Sequence, residues 1–124
     1  MSIESSLFTA LTGNAALTAL IGTRLYPDAM PQGAVLPCIV YQRISTPRTQ
    51  GFGSSQPVIV SRPRLQFSCW ALTASAALAV CAALRTALLA TSYPVTLESE
   101  YTLRDPATNY ARRNLDVFIA HAGE

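Results

Sequence analysis

Ile21-Gly22-Thr23-Arg24-Leu25-Tyr26-Pro27, then Pro31-Gln32-Gly33, then Leu36-Pro37-Cys38-Ile39-Val40-Tyr41 is the stretch whose reading decides the fold. Gly22 closes an Ala/Leu helical pattern, because a residue without a Cβ is best able to take a left-handed cap. Arg24, Leu25 and Tyr26 leave room only for a very short strand. Pro27, Pro31, Gly33 and Pro37 exclude both regular helix and central strand from the next segment, which reads as a surface crossing. A buried strand opens just after Pro37: over residues 38–44, Cys38, Val40, Gln42 and Ile44 alternate against Ile39, Tyr41 and Arg43.

Upstream, residues 3–12 place Ile3, Leu7, Ala10 and Leu11 on one helical face. Ser2 is the expected N-cap, and Glu4 stands in the first turn, where the helix dipole favours an anion. Gly13-Asn14 interrupts the pattern, and a second short helix over residues 15–21 follows. Downstream, residues 45–57 carry Pro47, Gly51, Gly53, Ser54, Ser55 and Pro57, the composition of a mobile loop longer than most connections in a compact domain. A long strand is expected over residues 58–71. Pro63 in its middle removes a ladder donor, which predicts an edge position or a bulge there. Beyond it Leu65, Phe67 and Cys69 face one way, and Arg64, Gln66 and Ser68 the other.

Thr73 caps an expected helix over residues 74–91, whose stripe Ala77, Val80, Cys81, Leu84 and Leu88 is apolar. Leu78, Ala82 and Leu89 lie round the back with Arg85, so this helix should touch both the sheet and the N-terminal helices, with a neighbouring subunit as a further contact. Residues 94–103 and 109–121 read as antiparallel strands joined by a turn at 104–108, with Leu115, Val117 and Ile119 as the buried row and Asn114 and Asp116 as the wet one. The expected fold class is α+β, a mostly antiparallel sheet with two helices on one face, in one domain spanning residues 1–124 with a mobile loop at 45–57.

Half the residues are apolar and 13% are charged, which excludes intrinsic disorder. The mean hydropathy of +0.27 is high for a monomer of this size; buried subunit contacts or the abundance of weakly hydrophobic alanine would each account for it. No segment reaches the roughly 18 uninterrupted apolar residues of a membrane helix, and the start lacks a basic region followed by an apolar run, so a protein made and used inside a cell is expected. The net charge of +2 is too mild for a nucleic-acid binder. All nine basic residues are arginine, through coding bias or because their forked guanidinium groups suit subunit contacts. Cys38, Cys69 and Cys81 fall within apolar patterns without metal-ligand spacing and read as reduced core thiols.

Chemistry is sparse. His121, the one histidine, stands three residues from the end and reads as an exposed tail. Gly51-Phe52-Gly53 is too short for a phosphate loop, and no nucleophile elbow or clustered zinc-ligand pattern is present. Glu98 and Glu100 share a strand face by the two-residue period. An acid/base or metal pair would use that spacing, but Arg104, Arg112 and Arg113 on the adjoining hairpin favour cross-strand ion pairs on a solvated face. Arg62, Arg64, Arg112 and Arg113, with Tyr101 and Tyr110, suggest a surface for stacking bases, yet Glu98, Glu100 and Asp116 among them leave little net field. No catalytic, metal or cofactor residue is assigned, no cofactor is expected, and no enzyme is expected.

In size and order of elements the chain resembles the tail-terminator, or tail-completion, family of long-tailed bacteriophages. The carrying features are Arg24-Leu25-Tyr26-Pro27, Pro31-Gln32-Gly33, Leu36-Pro37, Val40-Tyr41, Trp70-Ala71 and the Ala-rich helix beginning at Ala74. The resemblance implies a virion component of the tail's neck region, assembled in the bacterial host cytoplasm: a hexameric ring that caps the tail tube, stops its polymerisation and faces the head's neck or stopper protein. Prophages and gene transfer particles use the same function. The implied partners are other copies of the chain, the tail tube protein and the neck protein, with DNA only as passing cargo and no membrane. Arg48 and Phe52 in the loop, and Arg64, Glu98, Glu100, Arg112 and Asp116 on the sheet, are the expected interface residues. The rivals are another head–tail connector, such as a head-completion or stopper protein, and a small intracellular binding domain or enzyme.

Overall fold

Helix α1 (Ile3–Thr12) stops at the Gly13-Asn14 break, and Asn14 then caps α2 (Ala15–Ile21), its Oδ1 accepting from the Leu17 N–H at 3.1 Å. Gly22 closes α2 with φ at +61°, as its sequence position requires, and its N–H donates to the Thr18 carbonyl at 2.8 Å. These elements belong to a computed structural model that describes residues 3–45, 48–50, 59–61, 63–91, 93–107, 109–119 and 121–122. The expected Ser2 cap lies outside the described residues.

Strand β1 (Leu25–Pro27) runs parallel to β2 (Cys38–Ser45), with Leu25 opposite Ile39 and Pro27 opposite Tyr41. Parallel neighbours need a crossover, and the proline-punctuated segment between them supplies it. Arg24 ties the two ends together: its Nε donates to the Pro37 carbonyl at 2.9 Å and its Nη2 to the Leu20 carbonyl at 3.3 Å. The motif around Arg24 is therefore a structural staple between a helix end and a strand start.

Pro63 overturns part of the expectation for residues 58–71. The segment is two strands in two sheets, β4 (Ile59–Ser61) and β5 (Arg64–Ala71). β4 lies between β3 (Arg48–Gln50) and β8 (His121–Ala122), so three residues of the expected loop are a strand, and His121 pairs through its backbone with Ser61 instead of forming a tail. β5 stands at the centre of the main sheet, not at its edge. Pro63 falls at the switch between sheets, where its missing N–H costs no ladder bond and its carbonyl accepts from Ile119 at 3.1 Å. The bulge lies on the facing strand, where β2 shifts register between Arg43 and Ser45.

The main sheet has the order β1-β2-β5-β7-β6, antiparallel throughout except for β1, with β6 at Val95–Arg104 and β7 at Ala111–Ile119. Helix α3 (Ala74–Leu89) begins at Thr73, whose Oγ1 accepts from the Ala76 N–H at 3.1 Å. It buries the expected stripe together with Ala87, and leaves Leu78 and Leu89 exposed. The helices cover one sheet face, so the fold is α+β. Leu7, Leu11, Leu17 and Ile21 join Val80, Leu84 and Leu88 against Ile39, Leu65, Phe67, Leu115, Val117 and Ile119. Each such side chain contributes about 1.5–3 kcal/mol relative to exposure. Cys38, Cys69 and Cys81 are free and buried, as expected of core thiols. The hydrogen bond to Cys81 and burial both raise the Cys69 thiol, keeping it protonated.

Candidate functional site

Residues opposite one another across a ladder share a sheet face. By register, Gln42, Arg64, Gln66, Ser68 and Trp70 stand with Arg112, Asn114, Asp116 and Phe118, and with Ser99, Tyr101 and Leu103, on the face turned away from the helices. Five of the seven expected interface residues therefore lie on the β5–β7–β6 portion of the sheet, but not on one face and not in one role.

Asn114 and Asp116 correct the expected wet row: they are only 3% and 4% exposed. A layer of polar side chains closes over them. Arg64 Nη2 donates to Asp116 Oδ2 at 3.0 Å, and Ser99 Oγ donates to the same oxygen at 3.2 Å. The Tyr101 hydroxyl accepts from Gln66 Nε2 and from Asn114 Nδ2, each at 3.2 Å, and Gln66 Oε1 in turn accepts from Gln42 Nε2 at 3.3 Å. Arg64 also stands over the Phe118 ring, 5.8 Å from its centroid. Period-two reasoning placed these residues on the correct face. It carried no information about the long neighbouring side chains that dry them.

Arg112 behaves differently. Its guanidinium carbon stacks 5.2 Å from the Trp70 ring centroid, and its buried Nε has no hydrogen-bond partner. The Trp70–Arg112 pair separates two hollows. One, of about 160 Å³, is bounded by Asp28, Met30, Gln42 and Ser68; the other, of about 330 Å³, by Leu103, Arg104, Asp105 and Pro106.

Glu98 and Glu100 do not share the expected strand face, because β6 shifts register between Leu97 and Ser99. The extra residue breaks the alternation: Leu97 pairs with Val117 on the helix-covered face, and Ser99 pairs with Asp116 on the open one. Glu98 stands exposed at this bulge, and among the described residues it makes no ion pair. Glu100 pairs with Leu115 and so lies on the helix-covered face. There Arg85 of α3 donates from Nη1 to its Oε1 at 2.5 Å, and Arg113 of β7 closes on Oε2 while holding Thr102 Oγ1. Burial disfavours the charged carboxylate, but hydrogen bonds from the two arginines outweigh it and hold the pKa below the usual glutamate value. The expectation of a solvated cross-strand pair is corrected accordingly: the pair is real, faces the helix, and has a third member.

Arg85 was missed as a site residue. The available signal was its isolation, as the one charged side chain in α3. Arg48 lies in β3 opposite Ser61, with its side chain outside the described residues, as is all of Phe52. Among the described residues no three His, Cys, Asp or Glu side chains group in a way that could hold a metal ion. The open face offers a stacked cation, amides, hydroxyls and apolar rims, which is chemistry for recognition.

Comparison with known proteins agrees on the architecture. Residues 5–122 match the family described as tail completion protein gp17. Among solved structures, a chain from the virion of a native gene transfer agent particle superposes with a TM-score of 0.67, covering 98% of this chain and 96% of that one at 18% identity, a likeness of fold. No curated protein matches.

Proposed function

Because this chain belongs to the family of tail completion protein gp17, we propose that it is a structural virion protein that assembles into a ring, caps the tail tube, stops tube polymerisation and forms the tail side of the head–tail joint. The supporting observation is the family match over residues 5–122, which takes in the described strands of both sheets, α2, α3 and all but the first two residues of α1. The sheet adds physical support. A long edge strand, β6, exposes Leu97, Tyr101 and Leu103, and α3 exposes Leu78 and Leu89, apolar surface that a protein joined to copies of itself has reason to carry.

Its work on this reading is stoichiometric. A head-to-tail contact repeated around an axis closes a ring, one side of which matches the end of the tube while the other meets the neck protein. Many modest contacts acting together supply the affinity, so no deep pocket and no turnover is required. The ring is proposed to be hexameric, in a phage, prophage or gene transfer particle assembled in the bacterial cytoplasm, with DNA passing through as cargo. Residues 45–57, with Arg48 and Phe52, are proposed to contact the tube or a neighbouring copy, with β3 fixing Arg48 at the start of the arm.

Electron microscopy of particles lacking the protein tests the role. Overlong or headless tails are the expected outcome; leaking heads on tails of normal length would assign the chain to the head-completion or stopper role instead. Deletion of residues 50–55 tests the arm, and tails of normal length joined to heads would remove it from the mechanism.

A further inference from the structure

Charge pairing within the chain divides the interface candidates into spent and unspent groups. Arg64 is neutralised by Asp116, and Glu100 by Arg85 and Arg113. Arg24 and Arg104 give their donors to backbone and amide oxygens. Among the described residues Arg112 meets only the face of Trp70, and Glu98 stands exposed at the β6 bulge. The two cannot meet in one copy: Leu103 lies opposite Arg112, and Glu98 is five residues back along β6, about 17 Å away at the rise of an extended strand.

We infer that the Trp70–Arg112 hollows receive the Glu98 bulge of a second copy of this chain, so that the β6 edge of one copy docks on the open sheet face of the next. Charge complementarity selects the occupant. A guanidinium held half-buried over an indole, with its Nε desolvated, gains most from a carboxylate arriving with an apolar neighbour, and Glu98 arrives beside Leu97, which is 39% exposed. Leu103 and Pro106, on the rim of the larger hollow, supply the apolar surface to meet it. Bulge and hollow are different patches, so each copy gives one and receives one, the arrangement from which a ring is built. Among the described residues Asp28 makes no ion pair, but it already lines the smaller hollow of its own copy, as Asp105 lines the larger, so neither is the arriving group. The inference rests on the proposed self-assembly and adds the residues in contact.

The test is a charge swap, read as self-association of the full chain by light scattering and by native mass spectrometry. Glu98→Arg changes an exposed side chain and leaves the unfolding midpoint in place; it is expected to weaken self-association at least roughly tenfold. Arg112→Glu is expected to do the same, and the Glu98→Arg, Arg112→Glu double variant to recover most of the loss. Unaltered assembly of Glu98→Arg overturns the contact while leaving the ring function standing. Unaltered assembly of Arg112→Glu together with lost retention of duplex DNA also overturns it and assigns Arg112 to passing phosphates. A wild-type chain that associates neither with itself nor with tube ends overturns the assembly function and this contact with it.

Discussion

Glu100 and Arg113 are diagonal neighbours across the β6–β7 ladder, and their ion pair lies beneath helix α3, where Arg85 takes the other carboxylate oxygen. The triad clamps the edge hairpin to the helix beside the buried Leu115 and Cys69. Its three members come from three elements, so its contribution appears only when the tertiary fold is complete.

Replacing Glu100 with Gln should therefore destabilise the chain by about 2 kcal/mol near neutral pH, since two partly buried guanidinium groups lose their counter-ion. The sign of the pH dependence follows from the lowered carboxyl pKa: the stabilisation is full above the unfolded-state value of about 4.3 and is lost as pH falls through the folded-state value. Urea denaturation of wild type and Glu100→Gln across that range should give curves that differ at neutral pH and converge in acid.

Asp116 is nearly sealed, so removing its cation should cost more than removing a surface pair. Arg64→Ala is expected to lower stability by about 3 kcal/mol, and adding Asp116→Asn should recover part of the loss by neutralising the stranded carboxylate. Thermal unfolding of the two single variants and the double variant measures the coupling.

Thr73→Ala deletes the side-chain acceptor for the first turn of α3 and should cost about 1 kcal/mol, with Thr73→Asp close to neutral. A shift of the urea midpoint at constant slope is the expected signature.

Phe67, 1% exposed, packs beside Tyr41 with ring centroids 6.2 Å apart, in the apolar layer shared with Leu7, Leu11 and Leu65. Phe67→Ala opens a cavity there and should cost about 3–5 kcal/mol, read from chemical denaturation.

Much of the architecture was legible because it rests on local rules. The Gly22 stop, the Asn14 break, the Thr73 cap, the buried stripe of α3 and the alternation of β5 each follow from the geometry of a few consecutive residues, and each stands where periodicity places it. Pro63 was legible as a disturbance but not as a switch between sheets, because the β4–β8 pairing that draws Ile59–Ser61 away depends on the far end of the chain. The Glu98 bulge was illegible for a similar reason: strict alternation is the default, and only pairing with β7 reveals the extra residue.

By itself, then, the order of Arg24-Leu25-Tyr26-Pro27, Leu36-Pro37, Trp70-Ala71 and the Ala-rich helix determined the fold class, the helices, most strands of the main sheet and the family resemblance, all of which are carried by short-range spacing and turn chemistry. Tertiary structure alone decided which charges are used inside the chain. Arg64 and Asp116 are 52 positions apart, and Arg85 reaches Glu100 from a helix; register and layer packing bring them within hydrogen-bonding distance and leave Arg112 and Glu98 apart. Coulomb attraction between exposed or half-exposed groups acts over a few ångströms, a separation that chain position does not encode and folding does.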